Sequence, residues 1–106
     1  MQIVWSQPAY DSFSDVLYYT EETFGKKQAK IIENSIFDLV NRLAVFPMSC
    51  PIIPEISNDI REYRKLVVNK ELSVIYRIDD DNIYIMFVWD VRRSLHNVYN
   101  YFNGIS

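Results

Sequence analysis

Two apolar runs, Val74 to Ile78 and Ile83 to Trp89, flank the polar stretch Asp79-Asp80-Asp81-Asn82. Both runs are rich in β-branched and aromatic residues, and Asp and Asn favour turns. The segment therefore predicts a β-hairpin. The three aspartates read as a solvated turn rather than a carboxylate site. The second run ends in Asp90-Val91-Arg92-Arg93. Strand ends and the loops after them are where rigid scaffolds present functional groups. Adjacent guanidiniums there, with His96 and Tyr99 beyond, point to an anionic target such as phosphate.

The rest of the chain is organised around this hairpin. Ile3-Val4-Trp5 reads as a first strand that joins the sheet edge. Ser6-Gln7-Pro8 has the capping hydroxyl and early proline of a helix start. Ala9, Phe13, Val16, Leu17, Thr20 and Phe24 recur at helical spacing and predict a helix over 8–23. Gly25 stands where a helix C-cap is needed. A second apolar stripe, Ala29, Ile32, Ile36, Leu39, Val40 and Leu43, predicts a helix from Lys26 to Phe46, which Pro47 ends. Three prolines between Pro47 and Pro54 exclude regular structure, so 47–59 reads as a surface loop. Ile60 to Val68, Leu72 to Ile78 and Asn82 to Trp89 predict an antiparallel meander, and Ser94 can cap a short helix through Phe102. The expected fold class is α+β, β-α-α-β-β-β, with the sheet packed on an α-hairpin and residues 1–106 in one domain.

Bulk properties narrow the function. An apolar content of 49% supports a core without disulfide or metal. Cys50 is the only cysteine, which excludes an internal disulfide and suits a reducing cytoplasm. No window approaches a membrane span, and the start of the chain lacks a signal-peptide pattern. The net charge of −3 counts against a general nucleic-acid binder. Residues 61–106 hold the larger share of Lys and Arg and form the more anion-facing half. A lone histidine without a Cys/His cluster leaves no transition-metal site, and two glycines cannot build a phosphate loop.

Five short segments, in this order, carry a resemblance. They are Pro8-Ala9, Leu43 to Pro47, Arg64-Lys65-Leu66, Val74 to Asp79, and Val88-Trp89-Asp90-Val91-Arg92-Arg93. Together they are similar to the RelE/ParE toxin superfamily of bacterial type II toxin–antitoxin modules. The resemblance covers nearly the whole chain and implies the β-α-α-β-β-β fold. It also implies a cytoplasmic protein without cofactor, inhibited by a cognate antitoxin that buries apolar surface near Phe13, Phe24 and Ile31. RelE-like members cleave messenger RNA on the ribosome, whereas ParE-like members act on DNA gyrase without a ribonuclease centre.

Metal-free RNA cleavage needs a base for the 2′-hydroxyl, charge stabilisation at phosphorus and an acid for the leaving oxygen. Arg93 can supply the charge, and Arg92 and Arg77 can bind the substrate phosphates. His96 titrates near neutrality and can act as acid or base. Tyr99 follows Arg93 at the spacing of the base-stacking tyrosine of RelE-like ribonucleases. Arg64 falls where those members place a basic catalytic residue, on the opposite face of its strand from Lys65. The structural alternatives are an Arg pair bridged to Asp90, an exposed His96, and Tyr99, Tyr101 and Phe102 as a helix packing face. Leu66 and Ser73 depart from the ribonuclease pattern, which has basic residues at both places, and Arg77 lies on the same side as Ser73. Three readings follow: an mRNA interferase using Arg64, Arg93, His96 and Tyr99; a non-enzymatic gyrase poison; and a non-toxic member that only forms complexes. A homodimer and a hetero-oligomer with antitoxin both stay open.

Overall fold

The structure is a computed structural model and describes residues 1–90. The helix expected from Ser94 to Phe102 lies outside the described residues. In chain order the elements are β1 (Gln2–Trp5), α1 (Gln7–Phe24), α2 (Lys26–Arg42), a 3-10 turn (Pro54–Ile56), β2 (Tyr63–Val67), β3 (Leu72–Asp79) and β4 (Asn82–Asp90). This is the β-α-α-β-β-β order, and the strands form one sheet in the spatial order β1-β4-β3-β2. The meander is antiparallel as its turns require. No tight turn ties β1 to a neighbour. It lies at the edge and runs parallel to β4, so the four-stranded sheet is mixed.

Local chemistry sets each boundary. Ser6 caps α1, its Oγ accepting from the Ala9 N–H at 3.1 Å, with Pro8 in the first turn. Gly25 separates the helices at φ 95°, a backbone state that favours glycine, and its N–H closes α1 on the Glu21 carbonyl at 2.9 Å. Helix α2 stops at Arg42, earlier than Phe46, and successive turns follow from Leu43 to Phe46. Strand β2 begins at Tyr63 rather than Ile60, because Asn58 Oδ1 accepts from the N–H groups of Ile60 and Arg61 and holds that stretch as a turn. The β3–β4 turn places Asp80 at φ 54°, where Asp is better tolerated than bulkier residues.

The main core fills the space between the α-hairpin and one face of the sheet. Phe13, Val16, Ile36 and Val40 of the helices meet Leu66, Val74, Tyr76, Ile83 and Ile85 of the strands. The opposite face carries a smaller cluster of Ile53, Tyr63, Ile75 and Trp89. The proline-rich loop supplies the cover for this second face. It runs from the end of α2 along the β2 edge, donating from Ile53 N–H to the Tyr63 carbonyl at 2.8 Å and accepting at Pro51 from Lys65 N–H at 3.0 Å. An edge strand that would otherwise present unpaired backbone is thereby partly covered.

Candidate functional site

Strand alternation divides the basic side chains of the meander. Arg64 is opposite Tyr76 in the register, and Tyr63 is opposite Arg77. Tyr76 belongs to the core under the helices and Tyr63 to the cluster on the other face. Arg64 therefore lies on the helix side and Arg77 on the far side, with the sheet between them. Arg64 and Lys65 point to opposite faces, as alternation requires. Arg77 shares its face with Ser73.

Each of these residues already has neighbours. Arg64 Nη1 donates to the Cys50 carbonyl at 2.7 Å, and the Tyr76 hydroxyl donates to the Pro47 carbonyl at 2.7 Å. The pair pins residues 47–50 against the sheet. Burial, reinforced by the neighbouring Cys50 thiol, pushes the Tyr76 phenol above its ordinary value, with Arg64 opposing. Tyr76 consequently stays a hydrogen-bond donor at neutral pH. On the other face, the Arg77 guanidinium sits 4.8 Å from the Tyr84 ring centroid and pairs with Asp79 at 2.9 Å. Lys65 Nζ lies 4.9 Å from the Trp89 ring. The Trp89 indole N–H is buried with no hydrogen-bond partner among the described residues.

Leu66 and Ser73 are both buried, so the two places where a ribonuclease pattern would put cations contribute none. Arg92, Arg93, His96 and Tyr99 lie outside the described residues. Among the described residues, no group of three His, Cys, Asp or Glu is placed to hold a metal ion. Among them also, no helix is long and apolar enough to cross a membrane.

The apolar surface is more prominent than the basic one. Phe24 and Ile31 are exposed, but Phe13 is a core residue stacked on Trp5 with ring centroids 5.3 Å apart, which removes it from a recognition surface. Sequence periodicity could not separate Phe13 from Phe24, because both fall on the apolar repeat of α1, whereas Ile31 lies off the stripe of α2. Val45, Phe46 and Met48, just past α2, are also exposed, with Phe46 at 65%. The expected extension of α2 through Phe46 concealed this patch. Its signal was Pro47-Met48-Ser49-Cys50-Pro51, a loop that keeps neighbouring side chains outside.

The chain is thus a small α+β fold with a helical hairpin on one face of a four-stranded sheet, exposed apolar side chains past α2 and basic side chains divided between the two faces. The family model of the ParE toxin of type II toxin–antitoxin systems, parDE, matches residues 3–95, and the chain belongs to this family. A solved structure described as the chromosomal ParDE TA system from P. aeruginosa is similar in fold, with a TM-score of 0.69 and 18% sequence identity. The match covers 86% of this chain and 96% of that one. Among curated proteins, none matches significantly.

Proposed function

We propose that this ParE-family toxin acts by binding DNA gyrase, without cleaving RNA, and that a cognate antitoxin holds it inactive. The observation that carries this reading is the placement of Arg64 and Arg77 on opposite faces of the sheet. A phosphate in a cleavage transition state is stabilised by cations converging on it. A four-stranded sheet between two guanidiniums prevents these two from sharing one phosphate. Arg64 is further committed to the Cys50 carbonyl, and Leu66 and Ser73 are buried and uncharged. Val45, Phe46 and Met48 are exposed within four residues of chain, and apolar surface of this kind suits a protein partner.

The test gives the purified chain, free of antitoxin, two substrates in parallel. One reaction follows gyrase supercoiling and trapped cleaved DNA. The other maps messenger 5′ ends in cell-free translation. Loss of supercoiling with intact messenger is the expected result. New ends inside codons, absent from an Arg93→Ala protein, with gyrase unaffected would overturn the proposal in favour of an mRNA interferase. No effect in either reaction would make the chain a non-toxic complex-forming member.

A further inference from the structure

The chain between α2 and β2 is tied down at several points, yet three of its apolar side chains stay outside. Leu43 is buried in the main core and anchors the start. The N–H groups of Val45 and Phe46 donate to the Arg42 carbonyl at 3.1 and 3.0 Å, and the Ser49 hydroxyl donates to the Phe46 carbonyl at 2.8 Å. Tyr76 then holds the Pro47 carbonyl and Arg64 the Cys50 carbonyl, so two clamps bracket Met48. Val45, Phe46 and Met48 are nonetheless exposed. Apolar side chains on a backbone already fixed lose less freedom on binding than those on a loose loop.

Charge narrows the partner. Arg42 is the only charged residue between Asp38 and Glu55, and it is exposed at the end of α2. In a chain of net charge −3 this stretch is apolar with one cation. It complements a surface that is apolar and carries carboxylates, and it disfavours a basic one. We propose that Arg42, Val45, Phe46 and Met48 form the surface on which an apolar, acidic segment of gyrase docks, with Arg64 and Tyr76 as its positioning residues. The proposal rests on the gyrase reading. It gives Arg64 a role without phosphate: its guanidinium fixes the loop that carries the contact side chains.

Binding of the full, antitoxin-free chain to purified gyrase, followed by biolayer interferometry, tests it. Phe46→Ser with Met48→Ser should weaken binding about tenfold or more, and Arg42→Glu should weaken it too. Val67→Ser, an exposed apolar change on β2, should leave it unchanged. Arg64→Ala should weaken binding in the wild-type background, and Arg64→Lys, which keeps a donor, should restore part of it. In the Phe46→Ser, Met48→Ser background Arg64→Ala should have no further effect, because a positioning residue acts only through the side chains it presents. A purely structural Arg64 would give the same loss in both backgrounds and would overturn its positioning role. Wild-type affinity in the Phe46→Ser, Met48→Ser protein would overturn the surface while leaving gyrase as the target. Wild-type protein that fails to bind gyrase would overturn the gyrase reading and this proposal together.

Discussion

Ser12 joins the α-hairpin to the sheet through one hydrogen bond, and its removal has a calculable cost. Pairing between β1 and β4 runs only as far as Trp5 opposite Ile85. Past that point the chain turns into α1, with Ser6 N–H donating to the Ile85 carbonyl at 3.0 Å. The Val88 N–H lies beyond the reach of β1 and instead donates to Ser12 Oγ at 2.9 Å. Ser12 is 4% exposed, and its own hydroxyl proton is held by carbonyls of the first turn of α1. Ser12→Ala leaves a buried N–H without an acceptor, which costs about 1–3 kcal/mol. For a domain of this size that is a fall in Tm of roughly 4–20 °C. Thr20 is the internal control. It is also buried, at 8% exposure, but its hydroxyl donates to the Val16 carbonyl, within its own helix. Thr20→Val should therefore cost much less than Ser12→Ala. Thermal unfolding of the three antitoxin-free proteins, read by circular dichroism, decides it. A Ser12→Ala loss below about 0.5 kcal/mol, the scale of an ordinary surface change, would refute the reasoning.

Further outcomes follow from other local features. A Cβ added at Gly25 meets nothing within 4 Å, so Gly25→Ala should cost only backbone strain, about 1–3 kcal/mol because φ 95° with ψ 168° is a region essentially restricted to glycine, and denaturant midpoints will measure it. The folded-state Tyr76 phenol lies above the ordinary 10.0, so its contribution is fully present below pH 10 and is lost as pH rises through the folded value. A stability profile across this range should fall less steeply for Tyr76→Phe, which at neutral pH loses about 1 kcal/mol with its bond to Pro47. Arg64→Ala should free residues 47–50, and Cys50 should then react faster with a thiol reagent at unchanged pH. An unaltered labelling rate would show that the guanidinium does not restrain the loop.

The elements were legible in the sequence because each had its own local chemistry. Ser6 and Pro8 started α1, Gly25 divided the helices, and the aspartates marked the hairpin turn. The errors came where tertiary contacts overrode a local pattern. The apolar stripe of α2 continues to Leu43, but Leu43 is buried as part of a turn and not as the next helical residue. Ile60 has the composition of a strand residue, yet it is 90% exposed because the Asn58 side chain claims its N–H. The direction of β1 was not legible either, since two helices intervene and no turn chemistry states it.

The site was less legible than the fold, and register explains why. Arg64 and Arg77 are on strands that pair, and their separation in sequence does not say whether they share a face. A slip of one residue between β2 and β3 would bring them to the same side. Burial of alternate side chains on both faces opposes the slip, and so does the connection after Val67. Val68 N–H donates to the Leu72 carbonyl at 2.9 Å, and Asn69 Oδ1 accepts from the N–H groups of Glu71 and Leu72 at 2.8 and 2.9 Å. This turn fixes Val67 opposite Ser73, and every later pair follows, down to Tyr63 opposite Arg77. The side on which each guanidinium stands thus follows from a register that this turn supports together with the burial of Leu66 and Tyr63 on opposite faces. Replacing Asn69 with Ala removes two hydrogen bonds to backbone N–H groups and should loosen the register without touching either arginine. Hydrogen exchange at Leu72 and Val74 should quicken in that variant. If exchange there stayed at the wild-type rate, the turn would not be what keeps the two cations apart.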